Sequence, residues 1–211
     1  MKKIFFIRHG ETGGNVGGYW QGPQEPLNPR GLQQADVVAM RAQSLTVDRL
    51  VASTMVRAQQ TAAAIGKSIN VAVESSDLFR EIKDPSSVIS ESASVEQDAI
   101  IESYRAARKE HINEPDFRFE DEETATEFFE RIKAALEFLR ELPEENIMVV
   151  SHGNFLRSMI GLIIQEGKYI HTDMMKFNRQ ITTTNTGITV LVLENNNFRL
   201  LTWNDHAHFA E

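Results

Sequence analysis

Short apolar runs alternate along the chain with longer segments in which apolar residues recur at helical spacing. An apolar run that ends abruptly in polar residues is typical of a strand buried on both faces of a parallel sheet. Such strands separated by helices predict a parallel sheet built through crossover connections, and therefore an α/β fold. The runs that predict strands are Ile4–Ile7, Arg49–Ala52, Val71–Val73 and Ile147–Val150.

Helices are predicted in the segments that separate and follow these strands. Asn28 is a favourable N-cap and Pro29 suits the first helical position, so the first helix is predicted to begin there. Its apolar face is predicted to include Leu32 and to lie on the sheet. The predicted helices run from Pro29 to about Leu45, from about Met55 to Ile69, from Thr124 to Leu142, and onward from Asn154.

The remaining segments predict a loop near the start of the chain and a hairpin near its end. Residues 10–26 contain six glycines and two prolines without periodicity, which predicts a loop. Closing strands are predicted over Gly187–Leu193 and Arg199–Trp203, joined by the turn-forming Asn195–Asn197.

Residues 84–123 break the regular pattern. This segment is rich in serine, predicts a helix over Val95–His111, and ends in an acidic patch at residues 120–123. Because it has too few apolar residues for a core of its own, it is interpreted as a lid-like helical insertion. The overall prediction is one domain over residues 1–211, a three-layer α/β sandwich with a mainly parallel central sheet.

Composition and charge narrow the possible functions. The 211 residues include no cysteine, which excludes thiolate catalysis, disulfide scaffolds and cysteine-ligated metal sites. Lys and Arg total 22 against 30 Asp and Glu, a net charge of -8. This field repels nucleic acids and anionic membranes, so neither is expected as a partner. An anionic substrate would therefore need a local basic pocket.

No targeting or membrane segment is predicted. The apolar run after Lys2 and Lys3 stops at Arg8, too early for the core of a signal peptide. The most apolar later stretch, Met159–Ile164, is far shorter than a membrane span. The cytoplasm is the expected location, and the oligomeric state stays open, with a homodimer as one option.

Two histidines occupy matching places, each directly after a buried strand region and each followed by glycine. These are His9 and His152. The C-terminal ends of parallel strands meet at one edge of the sheet, where α/β proteins bind their ligands. Arg8 precedes His9, and Arg57 stands in the first turn of a helix that begins at the same edge. Together these four side chains predict a cationic pocket for a tetrahedral anion.

The segment Arg8-His9-Gly10-Glu11-Thr12 resembles the signature of the histidine phosphatase superfamily, which has the phosphoglycerate mutase-like fold. Further segments resemble the family in order and spacing along the whole chain. They are Asn15, residues 26–35 (PLNPRGLQQA), Ser53 with residues 57–62 (RAQQTA), Ser151-His152-Gly153 and Asn185-Thr186-Gly187.

The resemblance implies a metal-independent phosphatase that hydrolyses a small phosphate monoester through a phosphohistidine on His9, with no cofactor. A neutral imidazole is a competent nucleophile near pH 7. Arg8 and Arg57 are expected to bind phosphate oxygens, because guanidinium forks suit them better than lysine does. His152 is expected to complete the catalytic site and the phosphate cradle, and Asn15 to donate to the phosphate.

Two details of the chemistry are also expected. The second ring nitrogen of His9 should donate to a carbonyl near Gly10, which would fix the reactive tautomer. Glu81 matches the family position of the general acid that protonates the leaving oxygen. The chain departs from the family pattern directly afterwards, where Lys83-Asp84-Pro85 replaces a glycine and a second Glu-Gly pair. Glu74, Asp77 and Asp84 are nearby substitutes for this acid.

Two other functions stay open. A phosphoglycerate mutase is one, although the segment 13–20 does not resemble the longer aromatic-rich segment of the mutases. A non-catalytic module that recognises phosphate with the same pocket is the other.

Two further clusters carry competing interpretations. His206 and His208 near Asp205 invite a zinc site, but capping of the pocket or exposure to solvent is preferred. A basic cluster on the inserted helix is interpreted as a solvated face paired with the acidic patch, rather than as a site for a second negative group of the substrate. Its members are Arg105, Arg108, Lys109 and His111.

Overall fold

A computed structural model of the chain describes residues 1–89, 95–168 and 171–209, and its centre is a six-stranded sheet. The strands are β1 (Lys2–Arg8), β2 (Arg49–Ala52), β3 (Val73–Ser75), β4 (Asn146–Ser151), β5 (Ile188–Glu194) and β6 (Asn197–Asp205). Their spatial order is β3-β2-β4-β1-β5-β6. The first four are parallel to one another, whereas β5 is antiparallel to β1 and β6 to β5. The predicted mainly parallel sheet is confirmed.

Helices cover both faces of this sheet. They are α1 (Gly13–Gly17), α2 (Pro29–Ala42), α3 (Val56–Ile69), α4 (Val95–Glu110), α5 (Ala125–Glu141), α6 (Gly153–Ile164) and α7 (His171–Gln180). Successive side chains of a strand point to opposite faces. In β1, Ile4 and Phe6 accordingly pack with α5 and α6, while Phe5 and Ile7 pack with α2 and α3. The predicted three-layer arrangement is confirmed, because both faces carry a buried core.

Two predictions from periodicity were wrong in detail. The third strand begins at Val73 rather than Val71, because Asn70 ends α3 in the left-handed conformation and Val71 N donates back to Gly66 O. Leu32 does not lie on the sheet; it is 48% exposed. The rest of that face is buried as the helical spacing predicts, at Ala35, Val38, Ala39 and Ala42, and Gly31 is buried with it.

Two helices were not predicted. The short α1 lies inside the predicted loop and is held by a capping box, in which Thr12 and Asn15 each bond the other's backbone N–H. The helix α7 follows α6, with Met174 buried against it. No helix in the described ranges combines the length and the apolar character needed to cross a membrane.

The start of α2 packs tightly against the loop that follows β1. A Cβ atom at Gly31 would lie 2.0 Å from Glu11 O, and one at Gly10 would lie 2.5 Å from Gly31 O. Only glycines permit this approach of two backbones. The contact fixes the path of the chain immediately after His9.

The acidic end of the segment 84–123 is partly buried. Glu122 is 1% exposed and Glu123 is 6% exposed. Tyr104 of α4 donates to Glu122 across 2.9 Å, and its ring contacts that of Trp20 edge-on at 5.5 Å. Buried carboxylates need partners: Glu122 finds one within the segment, whereas Glu123 binds Arg80 and Arg131 outside it and so joins the segment to the rest of the molecule.

Candidate active site

Five of the six predicted site residues line one pocket, here called the histidine pocket, at the C-terminal ends of β1 and β4, whereas His152 is fully buried behind it, beside His9. These strands are neighbours, with Arg8 opposite Ser151 in the register. The rings of His9 and His152 lie 5.1 Å apart, centroid to centroid. The pocket has a volume of about 240 Å³. Its walls include Arg8, His9, Asn15, Arg57, Glu81, Asp84, Asn154 and Arg157.

The hydrogen bonds of His9 define its two nitrogens. Nδ1 lies 2.7 Å from Gly10 O, the contact that the sequence predicted, and Arg57 Nε donates to His9 Nε2 across 3.3 Å. Nδ1 therefore carries the hydrogen and Nε2 presents a lone pair. Burial, together with the charges of Arg57 and Arg8, lowers the pKa of His9 well below its ordinary value. The imidazole is neutral at pH 7.

His152 lies beside His9, at the N-cap position of α6. Its Nε2 lies 2.7 Å from Ser53 Oγ, at the end of β2. Burial is the main cause that lowers the pKa of His152 well below its ordinary value, and the charges of Arg57 and Arg8 add to it. Ser53 stands in a motif that carries the family resemblance, but its contact with His152 was not predicted.

The two arginines are held by backbone carbonyls and, for Arg57, also by the sulfur of Met55. Arg57 is 3% exposed and donates from Nη1 to Gly22 O across 2.9 Å and from Nη2 to Met55 Sδ across 3.1 Å. Arg8 donates from Nη1 to Thr183 O across 2.5 Å. Burial lowers the pKa of both guanidinium groups, and the charge of Glu81 opposes this. Both remain cationic at neutral pH because the ordinary value is so high.

Asn15 lines the pocket and is part of a small amide network. Its Oδ1 accepts from Thr12 N across 3.2 Å and from Asn185 Nδ2 across 3.1 Å. Asn185 Nδ2 also donates to His9 O across 3.0 Å. Asn185 was not predicted as a site residue, although it stands in one of the motifs that carry the family resemblance.

Glu81 lines the pocket, and its carboxylate is bound by the first turn of α6. Its Oε2 accepts from Asn154 N and its Oε1 from Phe155 N, each across 2.9 Å. Oε1 also accepts from Ile82 N across 3.2 Å. A negative charge at a helix N-terminus is stabilised by the unpaired amides and the helix dipole. Glu81 therefore fixes α6, and with it His152, relative to the loop that follows β3.

A buried ion-pair network holds the loop that carries Glu81. Arg131 of α5 binds both oxygens of Glu123 across 2.8 Å and donates to Arg80 O across 2.8 Å. Arg80 binds Glu123 as well, at 3.1 Å, and Lys83 N donates to it at 3.2 Å. The sequence did not predict this network, because its partners lie far apart along the chain.

A larger cavity of about 580 Å³, here called the side cavity, adjoins the histidine pocket. Trp20, Ile82, Asp84 and Asn154 line both. Three of the four predicted basic residues, Arg105, Arg108 and Lys109, line the side cavity together with Arg179. Arg108 pairs with Glu122 at 3.6 Å. This ion pair agrees with the interpretation that the basic cluster pairs with the acidic patch. The fourth, His111, instead stacks on Phe117 and faces Glu114.

The C-terminal histidines lie apart from the histidine pocket. His208 Nε2 is 3.3 Å from Thr186 Oγ1, and His206 Nδ1 is 2.9 Å from Asn204 O. In the part of the chain that the structure describes, no three His, Cys, Asp or Glu side chains form a group suited to a metal ion.

Comparison with known proteins agrees with this geometry. Residues 4–206 match the model of the histidine phosphatase superfamily (branch 1). The probable phosphoglycerate mutase GpmB of Escherichia coli O1:K1 / APEC is 30% identical over 167 residues, covering 78% of this chain and 75% of the relative.

Solved structures share the fold at lower identity. Bacillus stearothermophilus YhfR superposes with a TM-score of 0.81 at 20% identity, covering 99% of each chain. A putative alpha-ribazole-5'-P phosphatase from Escherichia coli K-12 gives 0.79 at 20% identity, covering 97% of this chain and 96% of the other. This chain is therefore an enzyme of the histidine phosphatase superfamily (branch 1), and the family predicted from its motifs is confirmed.

Proposed function

We propose that this chain hydrolyses phosphate monoesters without a metal ion, through a phosphohistidine on His9. The observation that carries the proposal is the neutral imidazole of His9, whose Nε2 lone pair faces the guanidinium of Arg57 at 3.3 Å. A phosphoryl group bound to that guanidinium would lie against the nucleophilic nitrogen. Covalent catalysis then divides one difficult hydrolysis into two easier transfers.

The positively charged side chains of the site supply the electrostatic part of catalysis. Phosphoryl transfer develops charge on the equatorial oxygens, and preorganised positive donors stabilise it. Arg8 and Arg57 provide these donors, and Asn15 stands beside them for a further contact. His152 is held by Ser53, and we expect the negative charge of bound phosphate to favour its protonated form.

The leaving oxygen needs a proton, and the phosphoenzyme needs an activated water. Two carboxyl groups line the histidine pocket, Glu81 and Asp84. Glu81 is the residue that the family resemblance predicts for this role. The water would attack phosphorus opposite His9 Nε2, releasing inorganic phosphate and restoring the neutral imidazole.

The substrate is expected to be a small phosphorylated molecule. The histidine pocket, at about 240 Å³, has room for a phosphoryl group and a small part of the rest of a substrate, and the side cavity adjoins it. Proteins of similar fold are named for alpha-ribazole-5'-P and for phosphoserine. Specificity in this chain would lie in residues 13–26 and in the segment 84–123, which supply Trp20, Tyr104 and the basic side chains of the side cavity.

Hydrolysis of p-nitrophenyl phosphate in EDTA tests the activity. The purified chain should release nitrophenol steadily, and the His9→Ala variant should not. An activity that is present without EDTA and lost when EDTA is added would contradict the metal-independent mechanism. Absence of turnover between pH 4 and 8, with phosphate binding retained, would favour the non-catalytic module.

A mutase reaction is the second candidate, and the name of the relative from Escherichia coli favours it. Transfer to a second substrate requires the product to stay bound through another anionic group, and Arg105, Lys109 and Arg179 line the side cavity where such a group would lie. Incubation with 3-phosphoglycerate separates the two reactions. A phosphatase releases inorganic phosphate, whereas a mutase forms 2-phosphoglycerate without it.

A further inference from the structure

The side cavity is lined mainly by apolar and aromatic side chains. Those that form most of this surface are Trp20, Tyr104, Phe128, Phe129, Met174 and Met175. The hydroxyl of Tyr104 is already bonded to Glu122, so this residue offers its ring to a ligand. The volume of about 580 Å³ lies within the range of pockets that bind drug-sized molecules, about 300–1,000 Å³. Walls of this kind favour an apolar ligand, because its burial removes apolar surface from water.

Positive side chains line the same cavity. Arg105 and Arg108 already pair with glutamates. Lys109 and Arg179 are exposed, and within the described ranges neither has a carboxylate within 4 Å. Both line the side cavity and not the histidine pocket. Two unpaired cations at one apolar cavity, in a chain of net charge -8, indicate a negative group that a ligand supplies.

The side cavity is continuous with the histidine pocket through shared walls. Trp20, Ile82, Asp84 and Asn154 line both. The histidine pocket, at about 240 Å³, cannot enclose the whole of a larger ester. The remainder of such an ester would extend past these shared residues, and an apolar remainder would gain most by entering the side cavity.

We propose that the side cavity binds the leaving group of the substrate, and that this group is an apolar body with a negative group at its far end. The proposal rests on the proposed phosphohistidine chemistry, which places the phosphoryl group at His9. Trp20 and Tyr104 bind the apolar body, and Lys109 and Arg179 bind the distal negative group. The substrate class is an amphipathic phosphate monoester whose two anionic ends are separated by an aromatic or aliphatic segment.

Three primary alkyl phosphates test this substrate class in the wild-type chain. They are ethyl phosphate, 2-(2-naphthyl)ethyl phosphate and 2-(6-carboxy-2-naphthyl)ethyl phosphate. Their leaving alcohols have similar acidity, so the comparison reports what binds in the side cavity. We expect kcat/KM to rise about 100-fold from the first ester to the second, through burial of the rings, and about fivefold more with the carboxylate. Equal kcat/KM for the three esters would overturn the proposal.

A double variant tests the distal negative group. Lys109→Ala combined with Arg179→Ala should abolish the fivefold advantage of the carboxylate and keep the gain from the naphthyl rings. Lys176→Glu is the matched control, because it changes the net charge by the same two units on an exposed residue of α7 that does not line the cavity. It should keep the advantage. An advantage that persists in the double variant, or disappears equally in the control, would overturn the assignment of these cations.

Met175→Glu tests the apolar wall. This residue lines the side cavity alone, and the substitution places a charge where the rings would lie. We expect kcat/KM to fall at least about 10-fold for both naphthyl esters and to stay within about twofold for ethyl phosphate. Ethyl phosphate needs only the histidine pocket, so its rate also shows that the variant is folded. Wild-type rates with the naphthyl esters would overturn the assignment of the cavity.

Failure of the proposed function is distinguishable from failure of this proposal. The phosphohistidine chemistry fails if wild type forms no phosphoenzyme on His9 with p-nitrophenyl phosphate. The proposal for the side cavity fails if wild type forms that phosphoenzyme and still hydrolyses ethyl phosphate and both naphthyl esters with equal kcat/KM. This comparison needs no substitution, so it holds even where a variant does not fold.

Discussion

Arg57 donates a hydrogen bond from Nε to Nε2 of His9 across 3.3 Å, with both residues 3% exposed. The guanidinium therefore lies on the side of the imidazole that would accept a phosphoryl group. Burial is the main cause that lowers the pKa of His9, and the charge of Arg57 adds to it, so the ring stays neutral. One side chain thus prepares the nucleophile and supplies positive charge for its target.

Replacement of Arg57 by lysine tests this double role. Lysine keeps the charge but lacks the Nε donor and the fork that also holds Gly22 O. We expect kcat/KM for p-nitrophenyl phosphate to fall by about 100-fold in Arg57→Lys and by about 1000-fold in Arg57→Ala. Arg199→Ala is the control, because this exposed arginine on β6 pairs only with Glu194 in the described ranges. Wild-type rates in Arg57→Lys would mean that charge alone suffices.

Ser53 is predicted to affect the reaction rate because it holds the ring of His152. Removing its hydroxyl leaves His152 Nε2 without its 2.7 Å partner, at a cost of about 1 kcal/mol, which corresponds to about fivefold in rate. We expect kcat to fall by that factor in Ser53→Ala, measured with saturating p-nitrophenyl phosphate. Ser44→Ala, at an exposed serine whose hydroxyl donates to Arg41 O, should leave kcat unchanged. An unchanged kcat in Ser53→Ala would show that the contact does not orient the ring during turnover.

Glu123 is predicted to stabilise the fold. Removing one partner of a buried ion pair leaves the other charge unpaired, which costs about 3–5 kcal/mol. We expect Glu123→Ala to lower the free energy of unfolding by about that amount in urea titrations, because it deprives both Arg131 and Arg80 of their partner. Glu130→Ala, which removes an exposed pair with Lys133 on α5, the helix that carries Arg131, should cost less than about 1 kcal/mol. Equal losses of unfolding free energy in the two variants would contradict a stabilising role for the ion-pair network around Glu123.

The lowered pKa values of His9 and His152 predict how the free energy of unfolding changes with pH. In the unfolded chain the two imidazoles bind protons below their ordinary pKa of 6.5, whereas folded His9 and His152, whose pKa values are lowered, do not. The unfolded state therefore holds more protons below that pH, so the free energy of unfolding falls as pH falls, by at most about 1.4 kcal/mol per pH unit for each histidine.

Urea titrations at pH 7.5, 6.5 and 5.5 measure this dependence. His152→Gln should have a shallower fall in the free energy of unfolding than wild type over the interval from 6.5 to 5.5. A slope as steep in the variant as in wild type would show that His152 is not held neutral by burial.

The central site was predictable because its residues stand at strand ends. A buried parallel strand delivers the residue that follows it to one edge of the sheet, and β1 and β4 are indeed neighbours. This rule predicts that His9 and His152 share one edge of the sheet, and the adjacency of β1 and β4 in the structure brings them close together. The carbonyl partner of His9 was equally predictable, since Gly10 is adjacent in sequence.

Contacts between distant segments could not be predicted in the same way. Four consecutive acidic residues indicate a solvated patch, yet Glu123 is buried because Arg80 and Arg131 approach it from 43 and 8 residues away. The role of Glu81 as a cap of α6 depends on a helix 73 residues later. Sequence motifs name such residues, but only the fold shows which atoms they bind.

The most direct test of the mechanism is rapid quenching in alkaline denaturant with ³²P-labelled substrate, followed by mapping of the labelled peptide at alkaline pH. A phosphohistidine is labile in acid and stable in base, so these conditions preserve it, and its loss on brief acid treatment identifies it. We predict one labelled peptide containing His9, absent in His9→Ala and formed and lost at rates compatible with turnover. A label elsewhere, or full turnover by His9→Ala, would contradict the account.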